Sequence, residues 1–217
     1  MTFLFDGPYQ AEDSIVLAHG AGAPMDSASM NATAAALGKA GFRVARFEFS
    51  YMASRRIGGR KPPPRADRLK PEYLAAVKAL GTQGRLIIAG KSMGGRVASM
   101  VADELAESGR ACGLLCLGYP FHPPTKPDQL RTAHLEDLKT PTLIVQGTRD
   151  EFGRRHEVST YHLSPAIEFL WLEDGDHDLR PRQRVSGLST GDHLSTMAET
   201  VWAWAQRLPA VRRSGKI

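Results

Sequence analysis

The chain has 217 residues, of which 42% are hydrophobic and 24% charged, and carries a formal net charge of +5; this is an ordinary globular make-up, long enough for one sizeable core. No apolar run approaches the roughly 18 residues that a membrane span needs, and no basic stretch is interleaved with stacking aromatics, so neither a membrane span nor a nucleic acid partner is expected. The first residues lack the basic region and long apolar segment of a secretory signal, which makes the cytoplasm the expected location.

In chain order, residues 3–5 suggest an edge strand, and 14–18, Ser-Ile-Val-Leu-Ala, read as a strand covered on both faces of a parallel sheet. His19-Gly20-Ala21-Gly22 allows a sharp turn, after which Ser27 is placed to cap an alanine-rich helix reaching Lys39, where Gly41 stops it. Residues 42–49 give the next strand. From 50 to 70 regularity disappears, and Pro62, Pro63 and Pro64 exclude helix there, so a long loop is expected. Seven basic residues fall in this segment, Arg55 and Arg56 among them. Pro71 suits the first turn of a helix that would bury Tyr73, Leu74, Val77 and Leu80.

Residues 86–95, Leu-Ile-Ile-Ala-Gly-Lys-Ser-Met-Gly-Gly, read as strand, tight turn and helix. A Gly-x-Ser-x-Gly run in that context holds its serine in a strained, exposed conformation, which makes Ser92 a candidate nucleophile. Gly90-Lys91-Ser92 also ends a phosphate-loop signature. That signature needs a glycine where Arg85 stands and a flexible loop where 86–89 read as strand, so nucleotide binding is rejected. The following helix is expected over 93–107, with Val97, Met100, Val101 and Leu105 inward. Residues 111–117 form a further strand. It contains Cys112 and Cys116, whose even separation places both on one face as small packed groups, with no disulfide demanded.

Tyr119 and His122 follow in a loop and are candidates to line a pocket, although a packed loop is the blander alternative. A short helix-like piece near 130–138 precedes a strand at 142–146, and a helix is expected at 154–162. The last strand is 167–172, and a closing helix at 193–207 should bring Val201, Trp202 and Trp204 to the core. Basic residues beyond 207 suggest that 208–217 form a flexible tail to a single domain spanning 1–217. Alternating strands and helices imply a mainly parallel sheet between helical layers, with reactive groups at the carboxyl ends of the strands.

A serine hydroxyl needs a base and an orienting carboxylate. Asp150 lies four residues past the strand ending at Gln146, and His177 five past the strand ending at Leu172. Glu151 is the near alternative to Asp150, and His156, His162 and His193 compete with His177. The order Ser, Asp, His is that of the α/β-hydrolase triad. No His/Cys/Asp cluster has metal spacing, and neither cofactor nor metal is expected.

The chain resembles an α/β hydrolase, and more narrowly the small dienelactone-hydrolase-like enzymes and their testis-expressed and NSL-complex-subunit hydrolase-like relatives. The resemblance is carried by Gly-Lys-Ser-Met-Gly-Gly-Arg (90–96), Gly-Tyr-Pro-Phe-His-Pro-Pro (118–124), Leu-Arg-Thr-Ala-His-Leu (130–135), Val-Gln-Gly-Thr-Arg-Asp-Glu-Phe-Gly (145–153) and Gly-Asp-His-Asp (175–178). It implies an α/β-hydrolase fold and an oxyanion held by the backbone N–H groups of Ala21 and Met93. Relatives that open dienelactones use cysteine as nucleophile; Ser92 in its place favours general ester chemistry.

Too few residues separate the strands at 111–117 and 142–146 for a large cap. The expectation is an open-sited serine hydrolase of carboxylic esters or thioesters, with Arg55 and Arg56 at the rim attracting acidic substrates. The alternative is an interaction subunit that keeps the fold and has lost the chemistry.

Overall fold

The computed structural model describes residues 1–59, 62–81 and 84–209. Its elements follow one another as β1 (Phe3–Asp6), β2 (Asp13–Ala18), α1 (Ala28–Lys39), β3 (Arg43–Phe47), α2 (Ser50–Arg56), α3 (Lys70–Leu80), β4 (Arg85–Lys91), α4 (Met93–Ser99), α5 (Ala102–Glu107), β5 (Gly113–Leu117), β6 (Thr142–Gly147), α6 (Arg155–Val158), β7 (Ile167–Leu172), α7 (Gln183–Ser186) and α8 (Thr190–Ala205). The strands form one seven-stranded sheet in the order β1-β3-β2-β4-β5-β6-β7. Only the β1–β3 pair is antiparallel.

Alternate strand residues feed two apolar layers, because successive side chains leave opposite faces of a strand. Val16, Leu86, Ile88, Leu114 and Cys116 pack with Tyr73, Val77, Val97 and Leu105 from α3, α4 and α5 and with Val101 between α4 and α5. Ile15, Leu17, Ile87, Leu115, Leu143 and Val145 pack with Leu37 of α1 and Met197, Val201 and Trp204 of α8. With both faces covered, β2, β4, β5 and β6 need near-continuous apolar runs, which is what the sequence carries.

Several local expectations need correction. The stretch expected to be an irregular loop over 50–70 contains α2 and a 3₁₀ turn, Ala66–Leu69. The prolines lie between these two pieces. The first turn of α2 is fixed from outside: the Glu72 carboxylate accepts from both the backbone N–H (2.7 Å) and the hydroxyl (2.8 Å) of Ser50. The helix expected at 93–107 is two helices. Ser99 Oγ donates to Arg96 O at 2.8 Å, a back-bond that competes for a helix carbonyl and bends the chain just before the break. Cys112 precedes β5 and joins the α1/α8 layer, whereas Cys116 joins the other layer. The alternation argument fails there because Cys112 lies outside the strand; both thiols are buried and free.

Other differences are smaller. The helix expected at 154–162 is the single turn α6, residues 130–138 hold only a 3₁₀ turn (Ala133–Leu135), and α7 was not anticipated. The closing helix starts earlier, at Thr190, where Ser189 caps it and pairs with Asp192. Ser27 sits at the N-cap of α1 but its hydroxyl makes no cap bond. Trp202 is 50% exposed, while Val201 and Trp204 are buried. Of the stretch expected to be a tail, Leu208 is buried beside Trp204 in the α1/α8 layer; residues 210–217 lie outside the described residues, as do Arg60 and Lys61 of the basic segment.

Candidate active site

β4 sits in the middle of the sheet, between β2 and β5. At its carboxyl end Ser92 adopts φ +50° and ψ −116°, a left-handed conformation rare for a residue with a side chain. Two glycines permit the turn. A Cβ on Gly90 would lie 2.2 Å from the carbonyl carbon of Gly94, and one on Gly94 2.6 Å from His19 O. Larger residues at either position would push α4 off the strand. The Ser92 N–H is anchored to Leu117 O at 2.9 Å, which leaves the side chain as the free end of the turn.

His177 Nε2 lies 2.9 Å from Ser92 Oγ. On the other side of the ring, His177 Nδ1 lies 2.9 Å from Asp150 Oδ2 and 3.1 Å from Oδ1. Asp150 is completely buried. Its carboxylate is satisfied by the Phe152 N–H (2.9 Å) and by Gln146 Nε2 (2.8 Å). Gln146 is itself oriented by the Tyr119 N–H, which donates to its Oε1 at 2.7 Å. Phe152 covers one face of the imidazole, with ring centroids 4.2 Å apart. Gln146 and Phe152 were not singled out from sequence: one reads as a strand end, the other as an ordinary loop residue.

Lys91 also gains a place. Its Nζ donates to His177 O and faces Asp178 Oδ1 at 3.4 Å. Burial lowers its pKa, opposed by the nearby carboxylates of Asp178 and Asp150. The residue that imitated a phosphate-loop lysine thus ties the histidine loop to the serine turn.

Across from the serine, a Cβ on Gly20 would lie 3.6 Å from Ser92 Cβ, so the 19–22 turn borders the hydroxyl. Gly20 O accepts from His19 Nδ1 (2.6 Å) and from Tyr51 OH (3.3 Å), and Tyr51 OH also reaches Ala21 O (3.2 Å). His19 Nε2 accepts the Phe49 N–H at 3.1 Å, so the imidazole carries its proton on Nδ1 and is neutral. Burial lowers its pKa in keeping with that state, and burial raises the Tyr51 phenol to about 12. A trans peptide is planar, so holding Gly20 O to one side aims the Ala21 N–H to the other. Neither Ala21 N–H nor Met93 N–H has an acceptor among the described residues, and Met93 opens α4, where the first amides lack helical partners.

The remaining candidates lie elsewhere. Tyr119 and His122 are 0% and 2% exposed; Tyr119 OH donates to Arg131 O (3.0 Å) and His122 Nδ1 meets Pro123 O (2.9 Å). The packed-loop alternative describes both. Arg56 pairs with Glu48 (2.6 Å) and Asp26 (2.7 Å), so its charge is compensated inside the fold, and Arg55 lies over the Tyr51 ring at 5.4 Å. Glu151 is exposed beside the His177 loop, His156 and His162 are exposed, and His193 Nδ1 is bonded to Leu179 O at 2.8 Å. An open cleft of about 410 Å³ flanks His177, lined also by Arg149, Glu151, Arg154, Asp176 and Asp178. Among the described residues no cluster of His, Cys, Asp or Glu could hold a metal ion, and no helix is long and apolar enough to cross a membrane.

A family model described as an alpha/beta hydrolase domain matches residues 11–206. Among solved structures, a dienelactone hydrolase from Anabaena variabilis is similar at 18% identity, covering 95% of this chain and 91% of that one, with a TM-score of 0.69. The esterase domain of a Rhodothermus marinus protein gives 18% identity, coverage of 94% and 91%, and a TM-score of 0.64. An alpha-beta serine hydrolase homologue from Coxiella burnetii gives 19%, 93% and 89%, and 0.62.

Proposed function

Because the chain belongs to the alpha/beta-hydrolase family, we propose that it is a serine hydrolase acting on carboxylic esters or thioesters. The observation that carries this reading is the continuous hydrogen-bonded line from Ser92 through His177 to the buried Asp150. Ser92 Oγ attacks the carbonyl carbon while His177 Nε2 takes its proton. Asp150 holds Nδ1–H and favours the imidazolium that forms. The negative charge on the carbonyl oxygen meets the N–H groups of Ala21 and Met93; loss of one such donor costs on the order of 3 kcal/mol of transition-state stabilisation.

Collapse of the tetrahedral species breaks the bond to the alcohol or thiol, which leaves with the proton from His177. The acyl group is now on Ser92. Water, deprotonated by His177, attacks the acyl-enzyme, and Ser92 regains its proton as the acid departs. The cleft beside His177 is open enough to admit that water. An interaction subunit that had lost the chemistry would have no need to bury Asp150 and supply it with three donors.

A fluorophosphonate probe tests the reading. The protein should be labelled covalently, and Ser92→Ala should abolish labelling while keeping the melting temperature. An intact protein left unlabelled, when a standard esterase in the same tube is labelled, would overturn it.

A further inference from the structure

Helix α2 lies where a loop was expected, and its side chains reach back to the turn that follows β2. Tyr51 is the second residue of α2 and is 7% exposed. Its hydroxyl shares one proton between Gly20 O at 3.3 Å and Ala21 O at 3.2 Å. These are the carbonyls of the two peptides on either side of the Ala21 Cα, so one phenol ties both planes that meet at the residue whose N–H would face the oxyanion. Burial raises that phenol to about 12, and it stays a donor.

The turn needs such a tie. Ala21 stands between Gly20 and Gly22, and glycine leaves the backbone free to rotate. A Cβ on Gly22 would meet nothing within 4 Å, so packing does not hold that side of the turn. Rotation of the Gly20–Ala21 peptide would exchange the directions of the Ala21 N–H and the Gly20 carbonyl.

Helix α2 is itself fastened at both ends. Glu72 of α3 accepts from the N–H and hydroxyl of Ser50 at its start, and Arg56 at its end holds Glu48 at 2.6 Å and Asp26, just beyond the turn, at 2.7 Å. Between them the Tyr51 ring stacks on Phe49 with centroids 6.4 Å apart and packs against the His19 ring at 5.8 Å. His19 joins the same parts, since its Nε2 accepts the Phe49 N–H while its Nδ1 donates to Gly20 O. We propose that α2 is a brace for the oxyanion hole and that Tyr51 is its positioning residue, holding the Gly20–Ala21 peptide in the orientation that presents the Ala21 N–H to the substrate's carbonyl oxygen. This rests on the serine-hydrolase reading above. Tyr51 acts through the peptide, not on the substrate.

The test removes the hydroxyl alone. Tyr51→Phe keeps the ring beside His19 and Phe49, so its melting temperature should stay near the parent's. Without the phenol's bond the peptide leaves its orientation part of the time, and kcat for nitrophenyl acetate should fall about three- to tenfold with KM within about twofold of the parent. Acylation and deacylation both pass through an oxyanion, so kcat falls whichever step limits turnover. The second readout is a trifluoromethyl ketone: Ser92 Oγ bonds to its carbonyl carbon, the serine proton passes to His177, and the carbonyl oxygen becomes an alkoxide in the oxyanion hole. Its inhibition constant should rise by the factor that kcat loses. Arg85→Gln breaks the ion pair with Asp13 at the amino ends of β4 and β2; it should lower the melting temperature and move neither readout. If it moved both as far as Tyr51→Phe does, the effect would be one of stability and the brace would fall. Parent kcat and parent inhibitor affinity in Tyr51→Phe, a loss confined to KM, or a fall in kcat with inhibitor affinity unchanged each overturn the brace and spare the hydrolase. Absence of turnover and of fluorophosphonate labelling in the parent protein overturns both.

Discussion

Two serine–histidine pairs lie at opposite ends of one short helix, and only one has the surroundings of a nucleophile. Ser92 Oγ and Ser99 Oγ stand 2.9 and 2.8 Å from an imidazole nitrogen, so the contact itself does not distinguish them. Behind His177 is a buried carboxylate; around His134 are Arg96 and Lys70. A carboxylate behind the ring can stabilise the imidazolium formed when a base takes a proton, whereas burial, Arg96 and Lys70 lower the His134 pKa to about 4. Ser92 also projects from a left-handed turn, and the Ala21 and Met93 N–H groups have no acceptor among the described residues, whereas Ser99 is 3% exposed and bonded back to its own helix. A serine–histidine distance therefore identifies a site only together with the charge behind the ring.

The strongest way to break this contrast is to remove each hydroxyl in turn. Ser92→Ala should lower kcat by at least about 10⁴-fold. Ser99→Ala should keep fluorophosphonate labelling and show instead a stability cost of about 1–3 kcal/mol, from the partners it leaves unpaired. Labelling lost in Ser99→Ala and kept in Ser92→Ala would reverse the assignment. Next in size is Asp150→Asn, which keeps the shape but offers His177 the wrong hydrogen-bond pattern; a fall in kcat near 10⁴-fold is expected. Equal turnover would mean that the ring does not depend on its carboxylate.

Lys91→Met should act more mildly. It removes the tie to His177 O and leaves the triad atoms present. A displaced base costs up to about 10²-fold, and Lys91→Arg should restore part of kcat. If Lys91→Met changed KM alone, the lysine would be a substrate contact and not a positioning residue.

How far the site could be read from sequence follows from how local each signal is. Ser92 stood out because strand, glycines and helix are consecutive, and Asp150 and His177 because they follow the ends of apolar-rich strands. Lys91 and Gln146 were invisible in their roles: each acts on a residue 86 or 4 positions away through one specific bond that leaves no pattern. The same holds for α2, whose first turn is fixed by Glu72 from a different helix. Charge misled most. Arg55 and Arg56 looked like a free basic rim, but Asp26 and Glu48, distant in sequence or hidden in a strand's end, compensate Arg56. Arg96 and Lys70 are distant in sequence, and only the fold brings the fields of both to His134.

The smallest expected effect sharpens the contrast from the histidine side. His134 has its pKa lowered from 6.5 to about 4, first by burial and then by Arg96 and Lys70. The unfolded chain therefore binds a proton that the native protein refuses. The neutral ring contributes stability that is fully present above about pH 6.5 and is lost as pH falls toward 4. Allowing for solvent screening of a half-buried ring, the loss amounts to about 2 kcal/mol. His19 shifts in the same direction, and carboxylates begin to titrate at the acid end, so the measurement must be a difference. Chemical denaturation of the parent and of His134→Gln, which cannot titrate, should give curves of stability against pH that converge on acidification, with the parent falling more steeply. Parallel curves would mean that folding does not lower the His134 pKa. The positive surroundings assigned to it, and with them the contrast with His177, would then have to be abandoned.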